Sequence, residues 1–105
     1  MDKNIIAQKA VTAANQKAVN ADGQTAVALT GNDPALGERS VAIAIYSATG
    51  DTANVVTARR LADDKETVLD SLVVTKSQIM TVPHAQLWEF ECTTFSSNFL
   101  LTVSQ

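Results

Sequence analysis

The sequence has a single cysteine, Cys92, and a single histidine, His84, and each scarcity removes a class of function. No internal disulfide can form, which argues against a stapled secreted module. Metal centres built from several Cys or His ligands are excluded as well. Four glycines leave no Gly-rich loop to cradle a phosphate, and two prolines leave no proline-rich segment. Charged residues are only 18% of the chain, with eight Lys and Arg against eleven Asp and Glu. A net charge of −3 offers no basic stripe for following a nucleic-acid backbone. No apolar run approaches the roughly 18 residues of a membrane-spanning helix. The start, Met1-Asp2-Lys3-Asn4, lacks the charged opening and apolar run of a signal peptide. The expectation is a soluble chain made in cytosol, with neither nucleic acid nor membrane as partner.

What is present is small and apolar. Hydrophobic residues make up 46% of 105 residues, with 16 Ala, 12 Thr and 11 Val. That is too apolar for a disordered chain. By surface scaling, folding would bury about 65% of the open chain's surface, enough for one self-sufficient core. Alanine favours helix while Val and Thr favour strands, so periodicity has to decide the class.

The first third stands apart. The element Gln-x-Ala-Val occurs at Gln8, Gln16 and Gln24, a spacing of eight. Eight is a multiple of the strand period but drifts by about 80° per repeat on a helix, which favours extended structure. The competing reading is a short helix, because Ile6, Ala10, Ala13, Ala14 and Ala18 form a helical stripe. Residues 1–22 carry few large apolar groups and cannot alone offset an ordering cost of roughly 1–2 kcal/mol per residue. They are expected to be an N-terminal arm, extended or partly helical, ordered against the chain's own body or a neighbour.

Past Gly23 the pattern is strands and turns. Gln24–Thr30 reads as a strand ending at Gly31-Asn32-Asp33-Pro34. Ser40–Ser47 is apolar on both faces, as a central strand would be. Ala53–Ala62 follows, then a hairpin at Asp63-Asp64-Lys65, then Thr67–Thr75 and Ser77–Val82. Gln86–Thr93 alternates most clearly, with Trp88, Phe90 and Cys92 opposing Leu87, Glu89, Glu91 and Thr93. Phe99–Val103 is the last strand. Turn signals every 8–12 residues predict an antiparallel β-sandwich over 23–105, jelly-roll or Ig-like.

No catalytic set is visible. A hydrolase triad would need His84 as its base, and His84 lies beside Pro83 at a strand end or loop. Cys92 is in phase with Trp88 and Phe90, so it reads as a small core hydrophobe whose thiol is inert. Asp63, Asp64, Glu66 and Asp70 could ligate Ca²⁺ through oxygens, but Lys65 sits among them and no calcium-loop spacing is present. A solvated hairpin tip is the simpler reading. Arg59 and Arg60 point to opposite faces of a strand. Trp88 is expected in the core, whereas Phe95 falls in a turn and is a candidate for contact with another protein. Neither cofactor nor metal is expected, and the chain does not read as an enzyme.

The segment Val41-Ala-Ile-Ala-Ile-Tyr-Ser-Ala-Thr-Gly50, with the strand that runs into Asp63-Asp64-Lys65 and the closing strand Phe99–Val103, resembles small virion proteins of tailed phages. The resemblance spans about residues 24–105. The hairpin carries Asp-Asp-Lys where that pattern has Gly-Gly, and the Trp that follows the turn there is absent. The resemblance implies a capsid decoration (cement) protein located in the virion, and a homo-oligomer, with a trimer expected from threefold positions on a shell. Its partner would be the major capsid protein or another virion protein. Contacts would then fall on the arm, through Ile5, Ile6, Val11 and Val19, and on loops around Asn32, Asp63, Asp64 and Phe95. The alternative is a fibre- or surface-associated module that recognises a glycan or a protein receptor.

Overall fold

In the computed structural model, residues 4–31, 40–46, 53–82 and 86–105 are described, Tyr46 by its backbone only. Eight strands follow one another: β1 (Ile5–Val11), β2 (Val27–Leu29), β3 (Ser40–Tyr46), β4 (Val55–Leu61), β5 (Val68–Val74), β6 (Gln78–Thr81), β7 (Gln86–Thr94) and β8 (Phe99–Ser104). No helix occurs among the described residues. The protein is all-β.

The strands form two four-stranded antiparallel sheets, β1-β8-β3-β6 (sheet A) and β2-β7-β4-β5 (sheet B). In four of the pairs, β1·β8, β2·β7, β3·β6 and β4·β5, the first strand of the chain meets the last and each later strand meets the next one in. The remaining pairs, β3·β8 and β4·β7, join these into sheets. The arrangement is compatible with a β-sandwich, since buried residues of both sheets make one cluster. Sheet A supplies Ala7, Val11, Val41, Ile43, Leu101 and Val103; sheet B supplies Val56, Ala58, Val74, Trp88, Phe90 and Cys92. These are the alternate positions of each strand, as a half-buried pleated surface requires.

Trp88 and Phe90 stack with centroids 6.5 Å apart, and Trp88 is 7% exposed, so the tryptophan is a core residue as its phase predicted. β3 lies between β8 and β6, which is the central position its two apolar faces predicted.

The stretch expected to be an arm is extended and lies on the chain's own sheets. β1 pairs with β8 from Val11↔Phe99 to Ile5↔Ser104. The connector after it then crosses between the sheets. Gln8 and Val19 exchange both backbone hydrogen bonds, at 3.0 and 3.1 Å. One residue earlier, Ala18 N–H donates to the Phe90 carbonyl at 2.9 Å, and Cys92 N–H donates to the Gln16 carbonyl at 2.9 Å. Residues 16–19 thus stitch β1 of sheet A to β7 of sheet B, with Ala18 fully buried at the seam.

This seam also shortens β2. The sequence predicts a strand over 24–30, but residues 15–18 occupy the edge of β7 along 90–92, leaving only 86–88 for Val27–Leu29.

Candidate binding surface

The outer face of sheet B carries the densest polar network among the described residues. Alternation puts Glu89 and Glu91 of β7 opposite the core-facing Trp88, Phe90 and Cys92. Register then sets Arg59 of β4 directly across from Glu89, and Thr57 across from Glu91. The Arg59 guanidinium Nη1 donates to Glu91 Oε1 at 2.7 Å and to Glu89 Oε1 at 3.2 Å. Lys17 Nζ, brought over by the connector, donates to Glu89 Oε2 at 2.9 Å. Thr57 and Thr93 hydroxyls meet at 2.9 Å farther along the sheet. The Glu91 hydrogen bond, opposed by partial burial and aided by Glu89, holds the Arg59 guanidinium above its ordinary pKa. Two cations and two carboxylates thus balance, and the face is neutral at its centre.

Beside this network lies a groove of about 360 Å³ between the connector and the β4–β5 hairpin. Its polar lining is Lys17, Gln24, Thr25, Lys65 and Glu89. Both walls are fixed by local chemistry. On one side the Asn20 side-chain Oδ1 accepts from the backbone N–H of Asp22 at 3.0 Å and of Gln24 at 2.9 Å, while Gly23 adopts a φ of +78°. On the other, Asp64 Oδ1 accepts from the N–H groups of Glu66 and Thr67, both at 2.8 Å, and Oδ2 accepts from the Thr67 hydroxyl at 2.5 Å. Those three donors, the hydroxyl foremost, depress the Asp64 carboxyl below its ordinary 3.8. Lys65 completes the turn with a φ of +64° and a hydrogen bond to the Ala62 carbonyl at 2.9 Å.

The two outer faces differ in kind. On sheet A, the outward residues Gln8, Ala10, Leu100, Thr102, Ala42, Ala44, Ile79 and Thr81 include no Asp, Glu, Lys or Arg. Among the described residues that face carries no charged side chain, and Ile79 and Leu100 stand exposed on it.

The contact residues expected from sequence do not converge on one surface. Ile5, Ile6 and Val19 do come together, around a groove of about 250 Å³ between β1 and the connector. Ile5 is 60% exposed, whereas Ile6 is half-buried against the core. Val11 is fully buried, its side chain taken up by the chain's own interior. Asp63 and Asp64 are exposed at the β4–β5 hairpin. Phe95 packs half-buried on the core at the opposite end of sheet B, since Leu61 pairs with Leu87 and Val55 with Thr94. Asn32, His84 and Pro83 lie outside the described residues.

Sequence reasoning missed Lys17, Gln24 and Thr25. They belong to a connector whose turns are made by Asn20 and Gln16 side chains, and neither Pro nor a Gly pair marks them. Cys92 is fully buried, and burial, with Glu91 beside it, pushes its thiol above the ordinary range. Among the described residues no group of three or more His, Cys, Asp or Glu could hold a metal ion.

Comparison with protein-family models, with curated proteins and with solved structures returned no match for this chain. Its function has to be argued from its own geometry.

Proposed function

We propose that this chain is a non-enzymatic structural protein of a virus particle, a jelly-roll that binds and stabilises the shell as a decoration protein. The observation that carries the reading is the strand order. Wrapping one long antiparallel ribbon about a core pairs the first strand with the last and each inner strand in turn, giving β1-β8-β3-β6 over β2-β7-β4-β5. Eight strands in two such sheets are the jelly-roll architecture, used by viral capsid and lectin domains. An Ig-like order would instead place the first two strands side by side in one sheet; here β1 and β2 belong to different sheets.

Fold does not fix function, so the surfaces have to support it. The uncharged face of sheet A suits a flat neighbour, since docking there strips no charge of its water. Weak contacts of this kind gain from repetition on a shell. The partner is the major capsid protein or another virion protein, and the chain acts as a homo-oligomer there.

The test is to tag the chain in the cells that carry its gene and to separate megadalton particles on a density gradient. Co-banding at a fixed number of copies per particle is expected. A chain found only among free soluble proteins would overturn the proposal.

A second reading, a module that recognises a glycan or protein receptor, is favoured by the polar groove beside Lys17 and Lys65. Against a glycan platform stands the burial of Trp88. Chemical-shift changes confined to Gln24, Thr25 and Lys65 on adding a ligand would favour this reading.

A further inference from the structure

The groove between the connector and the β4–β5 hairpin has spent its acceptors and kept its donors. Among the described residues its lining holds one carboxylate, Glu89, and both of that group's oxygens are taken, Oε1 by Arg59 and Oε2 by Lys17. The Gln24 side-chain oxygen accepts from the Asn20 amide at 3.2 Å, which leaves the Gln24 amide nitrogen open to donate. Lys17 commits one N–H to Glu89, and its side chain is still 34% exposed. Lys65 makes no ion pair among the described residues. Asp64, its neighbour in sequence, is turned into its own loop by Glu66 and Thr67. The open hydrogen-bonding groups are therefore two ammonium groups and an amide, with the Thr25 hydroxyl serving either way.

We propose that this groove binds an acidic sugar, a saccharide bearing one carboxylate or sulfate-ester group, with the anion held between Lys17 and Lys65. This ligand class rests on the reading of the chain as a module that recognises glycans.

Charge selects a monoanion. Two lysines and one glutamate give the lining a charge of +1, in a chain whose net charge is −3. A dianionic phosphate would leave one negative charge unbalanced beside Glu89. The backbone at Lys65 agrees. It holds a left-handed φ of +64°, a conformation that glycine adopts at no steric cost. A lysine kept there puts an ammonium on the groove where glycine would put none.

Size and lining select a sugar. About 360 Å³ lies in the range of small-ligand sites and exceeds what a lone carboxylate fills. Leu61 and Ala26 offer apolar surface to the C–H face of a ring, while Gln24 and Thr25 can bond its hydroxyls. A Cβ added at Gly23 would meet nothing within 4 Å, so the connector side is open. With Trp88 buried, recognition here falls to charge and hydrogen bonding and not to ring stacking.

The test is a titration of the isotope-labelled full chain with glucuronate, a sulfated glucose and glucose, followed by amide chemical shifts, with sodium acetate as the ionic-strength control. Saturating shifts at Gly23, Gln24, Thr25 and Lys65 are expected with glucuronate, and glucose should bind about tenfold more weakly or less. Equal binding of the sulfated sugar would show that charge is read, and binding of glucuronate alone that carboxylate geometry is read; both support the proposal. Lys65→Gln, at an exposed position, is expected to keep the melting temperature and weaken glucuronate binding by about tenfold, and Lys65→Arg to restore it. Glucose bound as tightly as glucuronate, or glucuronate binding indifferent to Lys65→Gln, overturns the proposal and leaves the glycan reading standing. No shift in the groove with any of the sugars overturns the proposal and that reading together, and shifts with an acidic peptide alone would give the groove to a protein.

Discussion

Ala18 shows how one small side chain can hold two sheets together. Its backbone bonds to β7, its neighbour Val19 bonds to β1, and its methyl group has no exposure at all. Ala18→Leu would force three extra carbons into that seam and is expected to cost about 1–3 kcal/mol, read by chemical denaturation. Arg59 is the corresponding residue on the outer face. Glu89 and Glu91 side chains are 12% and 15% exposed, so removing the guanidinium leaves two poorly hydrated carboxylates side by side. Arg59→Met is expected to cost about 1–2 kcal/mol, between the values for exposed and buried pairs. Adding Glu91→Gln to that variant should recover part of the loss, which a double-mutant cycle would measure. Asp64 carries a pH dependence of defined sign. Its carboxyl is depressed below 3.8 in the folded chain, so its contribution is present above that pH and disappears as pH falls through the lower folded value. Asp64→Asn should therefore lower the melting temperature at pH 7 and converge with the parent chain in acid.

At the scale of elements, β1 and the connector determine how the molecule closes. Removing residues 1–20 takes away the neighbour of β8, the buried Ala7, Val11 and Ala18, and the seam to β7. The expected outcome is loss of the cooperative unfolding transition, followed by circular dichroism; an unchanged transition would show the segment to be dispensable. From sequence alone this stretch could be ordered against the chain's own body or a neighbour; its pairing with β8 and β7 places it on the chain's own sheets. The reason is that backbone pairing and three small buried side chains, not bulk, bind it. Legibility followed alternation. β7 was readable because Trp88, Phe90 and Cys92 face the core while Glu89 and Glu91 face out, a period of two with strong contrast. β3 was readable from its two apolar faces. The connector was not, because its turns rest on the Asn20 and Gln16 side chains and on Asn15 at a φ of +67°, which leave no strong mark in composition. The groove beside Lys17 depends on that connector, so it was hidden for the same cause.

The whole molecule is a closure of distant segments. Val11 pairs with Phe99, 88 positions away by subtraction, and every sheet contains such long-range pairs. Topology of this kind folds slowly, so refolding from denaturant is expected on a scale of roughly milliseconds to seconds, by stopped-flow fluorescence of Trp88. The class of fold could be read from sequence because alternation is local. The nested order of the strands could not, since it depends on which segments meet across the chain. The most direct measurement is cross-strand nuclear Overhauser contacts in the labelled chain. The expected result is contacts of Gln8 with Thr102, Ile43 with Val103 and Ala58 with Phe90, joining first strand to last and inner strands to inner. Helical sequential contacts through residues 8–18, or strand pairs limited to chain neighbours, would contradict it.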